Sequence, residues 1–501
     1  MRVLTREEIR AVEARAFDGL FTEAQLMLRA GEACAEKMLK VYGAEMEKSR
    51  VGVVCGNGKN AGDGFVIARF LREHGADAFI ILADEAPVLP EPKQYFDDAV
   101  KAGVEVFDFN SADLNVEFLV DCIFGIGFHG EPRAPFDKVF DAVNASGAKV
   151  IAVDTPSGTD ATTGEAVKAV KADLTIAIST LKFAHVLPPA NDYCGKTLTV
   201  HIGIPEECYT EPYVHTITKK DVRASFPKVN VNANKGTFGH LLSVCGSYKM
   251  PGAAVFCAKG AVRCGAGLVK CVFPKSAYQF IAPSLLQPIF EPVTENEEKT
   301  ISMGALTGII EQLKWASAVV IGCGLGVNDD TAVIVNQVLK ECKVPILIDA
   351  DGINCLSENI NILQDINIPV VLTPHPGEMA RLSGKTIAEI QSDRIGVAKE
   401  FASRFGVVLV LKGANTVVTD GDSVFVNANG NTGMAMGGCG DLLSGMIGAF
   451  LARGMNALDA AKAGVYIHGM CGDITARELS KTGMTVEDMA QLLGALMSEF
   501  E

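Results

Sequence analysis

The chain has 501 residues, more than one hydrophobic core usually holds, so two domains are the starting expectation. It is 48% hydrophobic and 21% charged, which excludes a disordered or fibrous protein. A net charge of -15, with no Lys/Arg cluster, argues against a nucleic-acid footprint, although glycine-rich amides and a few lysines still bind anionic nucleotides in an acidic protein.

The first ten residues, M-R-V-L-T-R-E-E-I-R, carry charges throughout and lack the apolar core of a signal peptide. No apolar run reaches the roughly 20 residues that span a bilayer. The fourteen cysteines contain no C-x-x-C and mostly lie in apolar stretches, among them Cys55, Cys122, Cys245 and Cys271. Buried free thiols in a reducing cytosol are expected rather than disulfides or zinc, so a cytoplasmic enzyme is the expectation.

Thr5 with Glu8, and Thr22 with Gln25, have capping-box spacing and open two helices before any strand. Strands are expected at 51–55, 79–82, 118–123, 149–153 and 174–178, with helices at 65–73 and 138–146 between them. Such alternation means a parallel sheet covered on both faces. The pattern breaks over 201–227, where Pro205, Pro212 and Pro227 cluster, so a domain boundary is placed near residue 215. A second series follows at 241–245, 268–273, 318–321, 346–348, 370–372 and 407–411. Asp420-Gly421 suits the turn of a hairpin after it. The segments 285–298 and around Lys385 are not assigned.

Three strand ends of the first half carry candidate chemistry. The first strand runs into G-N-G-K-N-A-G-D-G at 56–64, whose match to a dinucleotide fingerprint is weak and whose Lys59-Asn60 pair rules out a Walker A loop. A tight turn capped by Asp63 is the bland alternative. V-D-C-I-F-G-I-G at 120–127 and V-D-T-P-S-G at 153–158 end two further strands, where ligands of open parallel sheets bind. Asn60, Asp121 and Ser157 offer oxygen atoms suited to a hard cation, and Asp154 is an acid/base candidate in the same crevice.

The second half supplies K-G-T-F-G-H at 235–240, M-P-G-A-A at 250–254, G-A-G-L-V at 265–269, I-G-C-G-L-G at 321–326, T-P-H-P-G-E at 373–378 and L-K-G-A-N-T at 411–416. N-T-G-M-A-M-G-G-C-G-D at 431–441 then leads into an apolar helix. Gly437, Gly438 and Gly440 crowd backbone amides at that helix start, a natural anion site, with Asp441 placed to accept a proton from a hydroxyl being phosphorylated. On this segment alone, Asp441 as a mere helix cap is an equal alternative.

The first-half motifs resemble the N-terminal epimerase domain of the bifunctional NAD(P)H-hydrate repair enzymes, whose usual N-N-G-G-D-G is here K-N-A-G-D-G. Lys59 replaces a neutral amide and Ala61 a glycine. The resemblance implies that Asn60, Asp121 and Ser157 hold K+. It implies that Lys59, Asn60, Ala61, Gly62 and Asp63, with Gly125, Ile126, Gly127, Phe128, His129, Gly130 and Glu131, line the nucleotide. Asp154 then acts at the hydrated nicotinamide ring. The second-half motifs resemble the ribokinase-like, ADP-dependent NAD(P)H-hydrate dehydratase that forms the other part of the same proteins.

By position, Lys412, Gly413, Ala414, Asn415, Thr416 and Gly440 would bind the adenine nucleotide. Ala253, Gly326, His375 and Asp441 would contact the hydrated dinucleotide, with Asp441 as base. Mg2+ would accompany the nucleotide. The implied architecture is α/β: an N-terminal Rossmann-like three-layer sandwich over 1–215 and a C-terminal ribokinase-like one over 216–501. The implied activity epimerises the R and S hydrates at C6 and dehydrates the S form while ADP becomes AMP and phosphate. The expected partners are hydrated NADH and NADPH and ADP, without nucleic acid or membrane, in a homo-oligomer. The alternatives are a ribokinase-like small-molecule kinase, which leaves phosphate on its product, and an N-terminal half that only binds nucleotide.

Overall fold

The computed structural model describes residues 1–210, 212–229 and 231–500. Two compact units divide between Val214 and His215. Among the described residues no helix is long and apolar enough to cross a membrane.

The N-terminal unit opens with β1 (Arg2–Leu4), followed by α1 (Arg6–Phe17), α2 (Glu23–Tyr42) and α3 (Ala44–Glu47). Both expected capping boxes form, at Thr5 with Glu8 and at Thr22 with Gln25. The alternation then runs β2 (Arg50–Cys55), α4 (Lys59–Glu73), β3 (Asp77–Leu82), α5 (Pro90–Lys101), β4 (Glu105–Asp108), β5 (Phe118–Cys122), α6 (Phe136–Ala145) and β6 (Lys149–Val153). β7 (Leu174–Ile178), β8 (Leu181–Lys182) and β9 (Lys196–Val200) complete it. β1 pairs in parallel with β8, so a strand does precede the first helix; at three residues it is too short to show a periodicity.

The sheet is ordered β4-β3-β2-β5-β6-β7-β9 and every pairing in it is parallel. Successive strand residues point to opposite faces. Val51, Val53 and Cys55 pack with Met38 of α2 and Phe65 of α4. Val54 packs with Val139 and Phe140 of α6. Burial on both faces explains why these strands read as unbroken apolar runs.

Helix α4 starts six residues before the expected 65, inside the glycine motif. A Cβ on Gly62 would stand 2.2 Å from Met27 Sδ, and one on Gly64 2.7 Å from Cys122 Cβ. These glycines let the helix lie against α2 and the sheet; they are packing residues, not loop residues.

A short strand, β10 (Val214–Thr216), lies at the division, and α7 (Lys219–Ser225) follows it. The C-terminal unit then runs β11 (His240–Val244), α8 (Pro251–Arg263), β12 (Leu268–Pro274), α9 (Tyr278–Ile281), β13 (Ile289–Val293), α10 (Leu306–Leu313), β14 (Ala318–Ile321), α11 (Asp329–Glu341), β15 (Ile346–Ile348) and α12 (Asp351–Ser357). After β16 (Val370–Leu372) come α13 (Pro376–Ser383), α14 (Ile387–Ser392), α15 (Arg394–Phe405), β17 (Val408–Leu411), β18 (Val417–Thr419) and β19 (Val424–Val426). Helices α16 (Cys439–Ala452), α17 (Ala457–Leu479) and α18 (Val486–Leu496) end the unit.

Its strands lie in the order β13-β12-β11-β14-β15-β16-β17-β18-β19. Pairings are parallel from β13 to β17 and antiparallel at β17-β18 and β18-β19. The β18-β19 hairpin turns through Asp420 and Gly421, as expected, with Gly421 at φ +97°. α8 and α16 pack backbone to backbone: a Cβ on Gly445 would stand 1.9 Å from the Cys257 carbonyl oxygen.

Candidate active sites

In the N-terminal unit a pocket of about 580 Å³ opens at the carboxyl ends of β2, β5, β6 and β7. Lys59, Asn60 and Asp63 of α4 line it, with Gly125, Ile126, Gly127, Phe128 and His129 of the loop after β5 and with Asp154 after β6. Gly130 and Glu131 are exposed beyond this lining. Ala61 and Gly62 are buried in α4, Ala61 within the core and Gly62 against Met27. Lys59 reaches Glu23 at 2.5 Å, so the charge that departs from the family pattern is met by a carboxylate on the pocket lining.

Asp154 sits at φ +67° with its backbone N–H bonded to the Ile176 carbonyl, which turns the side chain into the crevice. Its Oδ1 accepts from the Lys182 ammonium and, at 3.2 Å, from the Ile178 N–H. Lys182 is 2% exposed and also donates to the carbonyls of Ile178 at 2.7 Å and Thr180 at 3.1 Å. His185 Nδ1 accepts from the Lys182 N–H at 2.9 Å, so its Nε2 is the donor to the Asp154 carbonyl at 2.7 Å. Burial, then the Lys182 charge, depresses the His185 pKa to about 4, which keeps the ring neutral. Two nearby carboxyls are pushed upward. Burial, then the charges of Asp154 and Glu13, raise Asp63 well above its ordinary value; burial, then Asp154, raise Glu13.

Asn60, Asp121 and Ser157 meet at the loop after β5. Asn60 Nδ2 donates to the Phe124 carbonyl at 3.0 Å and lies 3.4 Å from the Val153 carbonyl. Ser157 Oγ donates to Asp121 Oδ1 at 2.6 Å and accepts from the Phe124 N–H at 2.8 Å, while Asp121 Oδ2 accepts from the Ser157 N–H at 2.8 Å. Asp121 is only 1% exposed, and burial lifts its pKa to about 6 against these hydrogen bonds. Asp121 and Ser157 present oxygens that fit a hard cation, while Asn60 turns its amide nitrogen toward the Phe124 carbonyl, so its oxygen joins them only with the amide turned over.

In the C-terminal unit the motifs meet at the ends of adjacent parallel strands. The Lys412 N–H donates to the Pro374 carbonyl at 2.8 Å, which joins the ends of β16 and β17. Lys412 Nζ turns inward to Asp349 Oδ1 at 2.7 Å, with Glu378 Oε2 at 3.9 Å. Ser444 of α16 donates to the other Asp349 oxygen at 2.7 Å. Burial opposes ionisation of both groups, but their mutual attraction outweighs it, lowering Asp349 and raising Lys412. A Cβ on Gly440 would lie 3.4 Å from Lys412 Nζ, so Gly440 adjoins this pair.

Asp441 is the third residue of α16, and the N-cap position is Gly438 at φ +92°. The capping alternative for Asp441 is thereby set aside. Burial, then the charges of Asp349 and Cys245, push its carboxyl up to about 7, against a hydrogen bond from Cys323 and the Lys412 charge. It half-faces solvent in the first turn of the helix, where the helix dipole favours an anion.

The other expected residues are more scattered. Ala253 packs under Gly324, and the Gly326 N–H donates to Asp351 Oδ2 at 2.8 Å. His375 N-caps α13, its Nδ1 accepting from the Gly377 N–H at 3.0 Å, with its ring exposed. Gly413 is at φ +143° and Asn415 at φ +56°, Ala414 is exposed, and Thr416 Oγ1 donates to the Gly413 carbonyl at 3.1 Å. Arg394 braces this loop, donating to the carbonyls of Leu411 at 3.0 Å and Lys412 at 3.2 Å.

Lys182, His185, Asp63 as a carboxyl, Asp349, Glu378 and Arg394 did not emerge from the sequence in these roles. Lys182 and Asp349 each carried a signal, a charge at the end of an apolar strand. Arg394 sits on an ordinary amphipathic helix and carried none.

A family model described as NAD(P)H-hydrate dehydratase matches residues 241–494, and one described as YjeF-related protein N-terminus matches 23–184. The bifunctional NAD(P)H-hydrate repair enzyme of Thermofilum pendens is 32% identical over 100% of this chain and 98% of its own. That of Escherichia coli is 34% identical over 98% of this chain and 93% of its own. A ribokinase-like superfamily protein of Enterococcus faecalis, 23% identical with a TM-score of 0.51 over 57% of this chain and 96% of its own, shares the fold. With both halves matched and relatives aligned end to end, the chain belongs to the family of bifunctional NAD(P)H-hydrate repair enzymes.

Proposed function

We propose that the N-terminal unit interconverts the R and S hydrates of NADH and NADPH and that the C-terminal unit dehydrates the S form, with ADP as phosphoryl donor. The observation that carries this reading is Asp441: a carboxyl displaced to about 7, at the third position of a glycine-led helix and beside the Lys412–Asp349 pair. Hydroxide is a poor leaving group from C6 of the hydrated ring, and a phosphoryl group transferred to that oxygen makes it a good one. Asp441 takes the hydroxyl proton as the phosphoryl arrives. The amides around Gly437, Gly438 and Gly440 meet the transferred charge, and Lys412 fixes the nucleotide-side wall. Loss of phosphate from C6 and of a proton from C5 then restores the dihydropyridine.

Mg2+ is expected with the nucleotide, where it neutralises phosphate charge. The 412–416 loop and Gly440 form the nucleotide-binding edge, and Ala253, Gly326 and His375 the side facing the hydrated dinucleotide.

In the N-terminal unit Asp154 moves a proton at the C6 hydroxyl. That carbon bears both the hydroxyl and the ring nitrogen, so a proton shuttled there lets the carbon–nitrogen bond open and reclose on the other face. Lys182 orients Asp154, and the upward-shifted Asp63 and Glu13 offer protons to the same crevice. Asn60, Asp121 and Ser157 would hold K+, which supplies a fixed positive charge near the substrate. The activities are tested by following reduced-nicotinamide absorbance of a mixed-epimer hydrate with ADP, with ATP and with neither. Complete recovery with release of phosphate supports the proposal; phosphate retained on the product overturns it in favour of a kinase.

A further inference from the structure

All fourteen cysteines are buried and unpaired, and three that are remote in sequence meet beside the C-terminal site. Cys245 follows β11, Cys257 lies on α8 and Cys323 follows β14. Their sulfurs all lie within 4.8 Å of one another, and Ser243 Oγ stands 3.6 Å from Cys257 Sγ. Exposure is 1% at Cys245 and zero at Cys257 and Cys323.

Around a tetrahedral zinc with Zn–S bonds of about 2.3 Å, two thiolates stand about 3.8 Å apart, and a thiolate and an oxygen about 3.5 Å. The three sulfurs lie close enough together to share one such ion. We propose that Cys245, Cys257 and Cys323 form a binding site for one thiophilic divalent cation of the zinc type.

The donors select the ligand. A sulfur-dominated set suits zinc and disfavours Mg2+, which takes oxygen. The site adjoins the reaction centre without coinciding with it. Cys323 Sγ also lies within 4.8 Å of carboxylate oxygens of Asp349 and Asp441, so the charge of a bound cation reaches both.

The test titrates reduced, chelator-treated full-length protein with Co2+ under anaerobic conditions. One Co2+ per chain is expected, with thiolate-to-metal charge-transfer absorption and tetrahedral d–d bands that Zn2+ abolishes. Cys257→Ser and Cys323→Ser should each weaken binding at least about 100-fold, whereas Cys34→Ser, in the other unit, should not. Should those variants fail to fold, X-ray absorption at the zinc edge of the loaded native protein decides. Three sulfurs at about 2.3 Å support the site, and fewer overturn it. Absence of the charge-transfer band, or undiminished binding by folded Cys257→Ser, also overturns it.

Discussion

Lys182 donates to the Asp154 carboxylate from inside the pocket wall, while His185, three residues further on, grips the carbonyl oxygen of the same aspartate at 2.7 Å. One short segment therefore holds both the charge and the backbone of the proposed epimerisation base. The aspartate needs both, since it sits at positive φ, where a non-glycine residue persists only if its surroundings fix it.

Replacing Lys182 by Met should lower epimerisation by about 100-fold or more, the range of a mispositioned acid–base group. Dehydration of the pure S hydrate should be unchanged. The buried pair also predicts a stability pattern: removing one partner strands the other charge and costs about 3 kcal/mol. The double variant Lys182→Met/Asp154→Asn should regain part of that loss. Epimer interconversion by chromatography and denaturant unfolding check the two parts, and a Lys182→Met enzyme that epimerises normally contradicts the assignment.

As the proposed base, Asp441 should give the dehydratase a pH dependence: it must be deprotonated to act, so activity should fall tenfold per pH unit below about 7. The stability linkage has the opposite sense. Between the ordinary carboxyl value near 4 and about 7, the folded protein keeps a proton that the unfolded chain releases, so this group's contribution declines as pH rises through that window. Asp441→Asn should therefore abolish dehydration yet raise the Tm more at pH 8 than at pH 5. A pH-rate profile and thermal melts at the two values test it.

Arg394 is 6% exposed, burial lowers its pKa to about 10, and it holds the carbonyls that begin the 412–416 loop. Arg394→Met should raise the KM for the nucleotide about tenfold, in line with the loss of charged hydrogen bonds worth about 1.5–3 kcal/mol. The KM for the hydrated dinucleotide should move little. Steady-state kinetics in each substrate decide whether the effect is confined to the nucleotide.

Gly445→Ala should force α8 and α16 apart, because the added methyl meets a backbone carbonyl rather than a movable side chain. Overpacking of this kind costs about 1–3 kcal/mol, or a Tm several degrees lower for a unit of this size. Gly437→Ala, where a Cβ meets nothing within 4 Å, should leave the melt unchanged and serves as the control.

The central strands were legible because both faces are buried and their apolar runs have sharp ends: Lys149–Val153, Ala318–Ile321 and Val370–Leu372 match the expected bounds. Edges were not. β4 and β13 carry exposed or half-exposed residues and lack that contrast, so β13 lay inside a segment left unassigned. The glycines of α4 misled because glycine in a sequence suggests a loop, whereas here it makes room for a neighbouring helix. At the sites, residues within glycine motifs were visible as motifs. Lys182, Asp349 and Arg394 were not, because their roles rest on partners 28, 63 and 17 residues away.

The measurement that tests the account most directly follows nicotinamide absorbance when the protein acts on an equal mixture of both NADH-hydrate epimers with ADP. Complete recovery is expected, with one phosphate released per dinucleotide restored. Recovery that halts at half the expected amplitude would contradict it, reducing the N-terminal unit to a binding module beside a working dehydratase.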